Sequence, residues 1–234
     1  MTKVIHRADE RGFADHGWLK ARHSFSFAGY YRPDRMNFGL LRVLNDDEIA
    51  PGMGFGTHPH ENMEIVTVPL EGAVAHRDSM GHEEAISAGE IQAMSAGSGI
   101  THSEFNASNS DTLKLLQLWV MPARQNVTPR YDQKKVDLRA DSFTTLVSPD
   151  GREDSLRINQ DAIFSRGVFS KGIGAAYDIQ FSGNGVYFFV ISGRVEVDGE
   201  SLGPRDAMGI SGVDAITFKS DVTSDILCVE VPMI

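Results

Sequence analysis

The sequence predicts an all-β protein made of two similar domains, and three observations support this prediction. The 234 residues include 23 Gly and 9 Pro, which interrupt nearly every apolar run. The remaining runs are short, and several alternate apolar with polar residues as half-buried strands do. Two series of such runs follow one another along the chain and share a weak internal repeat. Short strands separated by turn residues are typical of sandwiches and barrels.

The first series of predicted strands ends before Pro122. It comprises 38–44, 63–70, 73–77, 90–95 and 113–120. Residues that favour turns or stop strands follow these runs. The acidic triplet Asn45-Asp46-Asp47 follows the first run, and we interpret it as a turn.

A polar stretch with two prolines, 122–137, separates the first series from the second. The second series comprises 143–147, 156–158, 166–170, 176–181, 186–191, 194–197, 207–210, 215–218 and 226–231. Val66–Gly72 resembles Tyr187–Gly193, and another turn follows each of these segments about a dozen residues later. We therefore predict two similar β domains, 1–135 and 136–234.

Composition excludes several classes of protein. Cys228 is the single cysteine, so a disulfide framework and a cysteine-built metal site are both excluded. The net charge is −10 and no Lys/Arg cluster is present, which disfavours direct binding to nucleic acid. No stretch approaches the roughly 20 apolar residues of a membrane span, and the charged N-terminus lacks the apolar segment of a signal peptide. We expect a cytoplasmic monomer that makes no contact with membranes.

All eight histidines lie at or before residue 102, so any histidine chemistry belongs to the first domain. His58 and His60 stand two residues apart, and residues two apart on a strand point to the same face. His102 and Glu104 repeat this spacing. Two neighbouring strands that each present two donors would form a site of three imidazoles and one carboxylate. Such a set suits Fe(II), Mn(II), Ni(II), Cu(II) or Zn(II).

The motifs around these donors resemble those of known proteins. Two spaced motifs, Gly52 to Gly72 and Gly89 to Asn106, resemble the pair that marks the cupin superfamily. Five segments resemble the pirin family within the cupins: H-S-F-S-F (His23–Phe27), G-T-H-P-H (Gly56–His60), L-E-G (Leu70–Gly72), M-S-A-G-x-G-I-x-H-x-E (Met94–Glu104) and Q-L-W (Gln117–Trp119). They occur in order within residues 12–135. Beyond residue 135 only the internal repeat supports the resemblance.

The resemblance to pirins implies a bicupin fold. Two facing cupin β-barrels of the jelly-roll type would be joined by short helical or loop connections. The N-terminal barrel, 1–135, would bind one divalent transition metal ion through His58, His60, His102 and Glu104, and the usual metal would be iron as Fe(II). The C-terminal barrel, 136–234, has no histidine and is expected to be a vestigial cupin without metal.

Two departures from the general cupin pattern affect the choice of carboxylate ligand. The gap between Glu64 and Gly72 is one residue longer than usual, and Ser95 stands where proline is usual. Both departures agree with pirins. They favour Glu104 over Glu64 as the ligand.

The resemblance also implies a function. Bacterial pirins resemble quercetin 2,3-dioxygenases, so we expect the protein to open the heterocyclic ring of a flavonol with O₂ and release carbon monoxide. Glu104 would be the catalytic residue, because it is the one carboxylate expected at the metal and can take the proton of the flavonol 3-hydroxyl. The alternative is an iron-binding regulatory protein that acts through a protein partner. A cupin isomerase or an inactive storage-type barrel also fits the fold, but not the pirin motifs.

Other residues are weaker candidates for the site. His76 and His82 flank a predicted hairpin turn, and we interpret both as exposed or structural. Met63, Met94, Phe55 and Phe105 are interpreted as core residues, with a pocket for a flat aromatic ligand as the alternative. Family membership makes His23 a candidate neighbour of the pocket.

Overall fold

The computed structural model describes all 234 residues. Nearly all regular structure is β, with two short 3₁₀ helices, Ala8–Glu10 and Arg152–Asp154. The strands are β1 (Thr2–His6), β2 (Gly12–Asp15), β3 (Leu19–His23), β4 (Leu41–Ile49), β5 (Gly54–His60), β6 (Glu64–Glu71), β7 (Ala73–Asp78), β8 (Glu83–Ser87), β9 (Glu90–Ser95), β10 (Ile100–Asn106), β11 (Leu113–Val120), β12 (Arg130–Lys135), β13 (Thr144–Ser148), β14 (Leu156–Arg157), β15 (Ile163–Phe169), β16 (Gly174–Asp178), β17 (Asn184–Ser192), β18 (Val195–Val197), β19 (Glu200–Leu202), β20 (Ala207–Ser211), β21 (Ala215–Ser220) and β22 (Ser224–Pro232).

The strands form two pairs of sheets with the same internal order. In the first half, a seven-stranded sheet runs β12-β9-β6-β11-β4-β3-β2 and a four-stranded sheet runs β5-β10-β7-β8. In the second half, the seven-stranded sheet runs β1-β20-β17-β22-β15-β13-β14 and the four-stranded sheet runs β16-β21-β18-β19. The strands β6 and β17, which carry the two repeat segments, occupy the same place in the two large sheets. The predicted all-β architecture of two similar jelly-roll units is confirmed.

The outer strands of the two large sheets do not follow a simple division of the chain into two halves. Strand β1 pairs with β20 and therefore adds to the large sheet of the second half. Its last residue, His6, lies 2.8 Å from the hydroxyl of Tyr187, measured from the imidazole Nδ1. Strand β12 pairs with β9 and closes the corresponding edge of the first sheet. The domain boundary at residue 135 stays a prediction.

The largest hydrophobic core lies between the two seven-stranded sheets. Alternation along the strands explains this, because one face of each large sheet is apolar and meets the other. Leu116, Leu118 and Val120 of β11 pack there with Leu227 and Val229 of β22. The residues between them on β11 point the other way, into the first half of the molecule. This alternation places Gln117 and Trp119 in the interior where the predicted metal ligands lie.

One predicted turn proves to be wrong. Asn45, Asp46 and Asp47 lie in the middle of β4, hydrogen-bonded between β3 on one side and β11 on the other. Tertiary pairing overrides the turn preference of these residues, because every ladder position on both sides is filled. Asp46 points to the opposite face of β4, toward Arg11 and Arg205, whose nitrogens lie 3.2 and 2.9 Å from its carboxylate.

The structure contains no helix that is both long and apolar enough to cross a membrane.

Candidate metal centre

Strands β5 and β10 bring the predicted donors together. The two strands are antiparallel neighbours, and His102 lies directly opposite His58. A β-bulge after His102 shifts the register before Glu104, and bulges of this kind re-aim side chains at functional sites. The turn before β10 needs glycine at Gly97, where φ is +50° and a Cβ atom would lie 2.0 Å from the carbonyl oxygen of Val127.

Three imidazoles converge in the interior of the first half. The ring nitrogens of His58, His60 and His102 form a group in which one nitrogen of each lies within 4.8 Å of the others. The Nε2 atoms of His58 and His102 are 3.1 Å apart. Two adjacent nitrogens that each lie about 2.1 Å from one ion are separated by about 3.0 Å, which agrees with this distance. The arrangement therefore fits a divalent metal ion.

The protonation of the histidines suits the same role. His58 donates its Nδ1 hydrogen to the carbonyl oxygen of Gly56 at 2.8 Å, which leaves the Nε2 lone pair available. Burial, and to a smaller extent the neighbouring His58, lowers the pKa of His60 to about 4. Burial and the neighbouring histidines lower the pKa of His102 to about 3. The imidazoles of His60 and His102 are therefore neutral at pH 7, as metal ligands must be.

Glu104 is held in place by a chain of hydrogen bonds. The indole Nε1 of Trp119 donates to Gln117 Oε1 at 3.3 Å, which fixes the orientation of the amide. Gln117 Nε2 then donates to Glu104 Oε2 at 2.7 Å. Thr67 lies at the other carboxylate oxygen, 3.5 Å away. Burial raises the pKa of Glu104, and the hydrogen bond from Gln117 partly opposes this shift.

A second group of polar side chains lies behind His102. His76 and His82 lie 3.3 and 2.9 Å from Asp78 Oδ2, through Nε2 and Nδ1 respectively. Burial disfavours the Asp78 carboxylate, but hydrogen bonds from His82 and His76 hold its pKa below the usual value. His76 is buried between Tyr131 and His102, with ring centroids 4.5 and 5.3 Å away. His76, His102 and Glu104 also form a group of donors within 4.8 Å.

The Nδ1 atoms of His76 and His102 have complementary roles, one as a hydrogen-bond acceptor and the other as a donor. If Nε2 of His102 faces a metal, its Nδ1 carries the hydrogen. His76 donates through Nε2 to the Asp78 carboxylate, so its Nδ1 carries a lone pair. Both Nδ1 atoms are buried without a partner among the other side chains. A buried Asp78–His76 pair behind a metal ligand is the kind of support that orients ligating histidines.

A cavity of about 620 Å³ opens onto the candidate metal centre. Aromatic rings form much of its wall, among them Phe27, Phe55 and Trp119. Trp119 stands edge-on to His60, with ring centroids 5.0 Å apart. The polar residues that line the cavity besides the candidate ligands include His23, Asn45, Asp47 and Gln117. A largely apolar cavity of this size with a few polar groups is typical of small-molecule sites.

The structure shows which of the weaker candidates proposed from the sequence lie at the cavity. His23 lines the cavity, as does Phe55, whereas Met94 is fully buried in a core cluster against which Met63 packs. Phe105 is 38% exposed on the outside of the sheet.

Glu64 points away from the three histidines. Its carboxylate Oε2 accepts hydrogen bonds from the Ser95 hydroxyl at 2.6 Å and the Asn159 backbone at 3.1 Å. Glu64, which begins the lengthened gap, is thus hydrogen-bonded to Ser95, which stands where proline is usual in cupins.

Sequence reasoning missed several residues of the site. Asn45 and Asp47 were assigned to a turn, and Gln117 and Trp119 were noted only as part of a family motif. The signal is present in each pair, because the two residues of each pair stand two positions apart and so share a strand face. His76 was interpreted as exposed or structural, but the structure shows it buried against His102.

Two jelly-roll halves, with three imidazoles gathered inside the first, define a two-domain cupin with a candidate metal centre. Comparison with known proteins agrees with this class. Residues 5–120 match the family model described as Pirin, and residues 145–231 match the model of the quercetinase C-terminal cupin domain. The chain belongs to the pirin family.

Relatives and solved structures support this assignment over the whole chain. Quercetin 2,3-dioxygenase from Escherichia coli K12 is 43% identical over 97% of this chain and 98% of its own length. The pirin-like protein of Caulobacter vibrioides is 41% identical over 95% of this chain and 96% of its own length. The bacterial pirin YhhW from Escherichia coli, in complex with nickel(II), matches with a TM-score of 0.95 and 42% identity over the full length of both chains. The predicted bicupin fold is confirmed, and the chain is a quercetin 2,3-dioxygenase-like protein.

Proposed function

We propose that this protein is a metal-dependent dioxygenase that opens the heterocyclic ring of a flavonol such as quercetin with O₂ and releases carbon monoxide. The observation that carries the proposal is the convergence of His58, His60 and His102, of which the first two line a cavity of about 620 Å³ with aromatic walls. Such a cavity accommodates a flat three-ring phenol, whereas a purely regulatory iron site needs none. The names of the relatives from Escherichia coli and other bacteria support the same activity.

His58, His60, His102 and Glu104 would hold the metal, and we propose Fe(II) as the physiological ion. The donor set also suits Mn, Ni, Cu and Zn. When bound, the metal would supply a Lewis acid that favours the deprotonated flavonol and an electron-rich centre at which O₂ reacts.

The chain itself would position the substrate and move one proton. Glu104 would accept the proton of the flavonol 3-hydroxyl, because a carboxylate with a raised pKa is a stronger base than an exposed one. Gln117 would keep that carboxylate aimed at the cavity through the 2.7 Å hydrogen bond. Phe27 and Trp119, whose rings meet edge to face at 5.3 Å, would exclude water from one side of the substrate.

The test is O₂ uptake and carbon monoxide release with quercetin by the iron-loaded protein. We expect turnover in the natural protein and none in His58→Ala. At matched metal loading, Glu104→Gln should lower turnover by about 10²–10⁴-fold while quercetin binding stays within a few fold, because the amide fills the same space but accepts no proton. Full turnover by metal-loaded Glu104→Gln would show that the proton goes elsewhere.

Absence of turnover with stoichiometric metal would exclude quercetin as the substrate. In that event the regulatory alternative, with a protein partner that senses the oxidation state of iron, becomes the better hypothesis. It would then be tested by partner binding to the oxidised and reduced forms. The regulatory role stays a prediction of the family resemblance.

A further inference from the structure

Asp47 is a buried carboxyl group without a partner in the wall of the cavity. Its residue exposure is 4%, and its Oδ1 is fully buried with no hydrogen bond. Asp47 also lines the same cavity as His58, His60 and Glu104. Most buried polar side-chain atoms in proteins are hydrogen-bonded, so an unpaired carboxyl group needs an explanation.

The strand register explains why no protein group reaches it. Asp47 lies on β4 between Ala21 of β3 and Leu115 of β11, and both neighbours are apolar. Asn45 occupies the same face two residues earlier, but its Oδ1 lies 2.8 Å from Nδ1 of His23. The cavity wall therefore provides a hydrogen-bond partner for Asn45 but none for Asp47, which also lines the cavity.

The neighbouring acid shows the contrast. Asp46 points to the other face of β4 and meets two arginines, Arg11 and Arg205. Asp47 meets no cation. Burial, together with the charges of Asp46 and Glu104, raises its pKa to about 8. Around neutral pH the group is therefore mainly a neutral carboxylic acid, which can both donate and accept a hydrogen bond.

We propose that Asp47 determines substrate specificity by hydrogen-bonding a hydroxyl group of the bound phenol other than the one that meets the candidate metal ligands. The preferred ligands are then aromatic compounds with several hydroxyl groups rather than one. This inference deepens the proposed dioxygenase function. It concerns binding, however, and so it can be tested without turnover.

The experiment compares two ligands on the metal-loaded protein. Quercetin carries several hydroxyl groups, whereas 3-hydroxyflavone has the same three-ring skeleton with only the 3-hydroxyl. Binding is followed by quenching of tryptophan fluorescence, since Trp119 lines the cavity. Asp47→Leu keeps the approximate shape without polar atoms, and Asp47→Asn keeps hydrogen-bonding capacity. Leu115→Met changes the apolar neighbour of Asp47 on β11 without changing its polarity and serves as the matched control.

We expect Asp47→Leu to weaken quercetin binding by about 10-fold or more, while 3-hydroxyflavone binding stays within about twofold. Asp47→Asn should lose less than Asp47→Leu, and Leu115→Met should treat the two ligands alike. Asp47→Leu should also raise the melting temperature, because it removes an unpaired buried carboxyl group. An unchanged preference between the two ligands, or a lowered melting temperature of Asp47→Leu, would overturn the proposal.

The two proposals fail separately. If the natural protein prefers quercetin through Asp47 but releases no carbon monoxide, the binding role holds and the dioxygenase activity is excluded. If the protein turns quercetin over and Asp47→Leu keeps the ligand preference, the specificity role alone is excluded.

Discussion

The interiors of the two halves of this molecule differ, although the strands around them are arranged alike. The repeat places Val66 of β6 at the position of Tyr187 in β17. Leu118 lies opposite Val66, and Val229 lies opposite Tyr187. The cross-strand pairings therefore extend the alignment from one strand to the next, and each interior position of the first half has a counterpart in the second.

The polar residues of the first half correspond to mainly apolar residues in the second. His76 and Val197 stand four residues after the two repeat glycines, and they lie opposite Glu104 and Phe218 respectively. His102 is paired with His58, and Ile216 is paired with Tyr177. The corresponding pairs are His58 and Tyr177, His76 and Val197, His102 and Ile216, Glu104 and Phe218, Thr67 and Phe188, and Gln117 and Cys228.

The difference teaches which residues the fold itself requires. In the second half these positions belong to a hydrophobic cluster of 14 buried residues, so the same topology is stable with an apolar interior. The first half instead contains buried imidazoles, a carboxylate and a cavity. Burying these polar groups stabilises the fold less than burying apolar side chains does. Residues that weaken local packing without serving the fold indicate a functional site.

The largest effect should come from giving the first half a residue of the second. His102→Ile removes one of the three converging imidazoles and places there the residue found at the equivalent position. We expect metal affinity to fall by more than about 100-fold, because even supporting residues outside the ligand set change it by about 10–100-fold. Metal content after dialysis and quercetin turnover are the measurements.

Ile216→Val provides the matched control for this exchange. It changes the equivalent residue of the second half, so we expect full metal content and a stability loss of about 0.5–1.5 kcal/mol. If His102→Ile binds metal as well as the natural protein does, His102 is not a ligand.

A smaller effect is expected from the residue behind His102. His76→Val introduces the residue type of the counterpart Val197 and removes the ring that lies between Asp78 and His102. We expect metal affinity to fall by about 10–100-fold, measured by competition with a chelator. His82→Asn is the control, because His82 bonds the same carboxylate without facing the metal centre. Equal losses in both variants would indicate a general effect of Asp78 on folding rather than orientation of His102.

Much of the fold was predictable because it follows from local patterns. The alternating run Leu113–Val120 predicted a strand, and the structure assigns the same residues to β11. The repeat between Val66–Gly72 and Tyr187–Gly193 predicted two similar units, because equivalent strands carry equivalent burial patterns. The pairs His58 and His60, and His102 and Glu104, were recognised from their two-residue spacing. Their role as ligands stays a prediction that the geometry supports.

The rest depended on contacts between distant strands. Asn45-Asp46-Asp47 has the composition of a turn, and only pairing with β3 and β11 makes it a strand. Once it is a strand, alternation directs Asp46 to the face that carries Arg11 and Arg205, and Asp47 into the cavity. The pairing of β1 with β20, in the large sheet of the second half, likewise has no local signal. The residues Thr2–His6 have the pattern of a strand whichever sheet they join.

The smallest effect that we predict concerns pH, and it reuses the His102→Ile variant without metal. The pKa of His102 is lowered to about 3 in the folded protein, from an ordinary value near 6.5. Between these values the unfolded chain binds more protons than the folded one, so stability falls as pH falls below about 6.5. His102→Ile should reduce this slope by up to about 1.4 kcal/mol per pH unit.

Urea unfolding of both metal-free proteins at pH 7 and pH 5 measures the difference. His6 and His60, whose pKa values are both lowered to about 4, contribute to the slope of both proteins and so cancel. Residues 136–234 contribute nothing of this kind, because they contain no histidine. Identical slopes would mean that His102 titrates normally and lies in a more hydrated environment than its 2% exposure indicates.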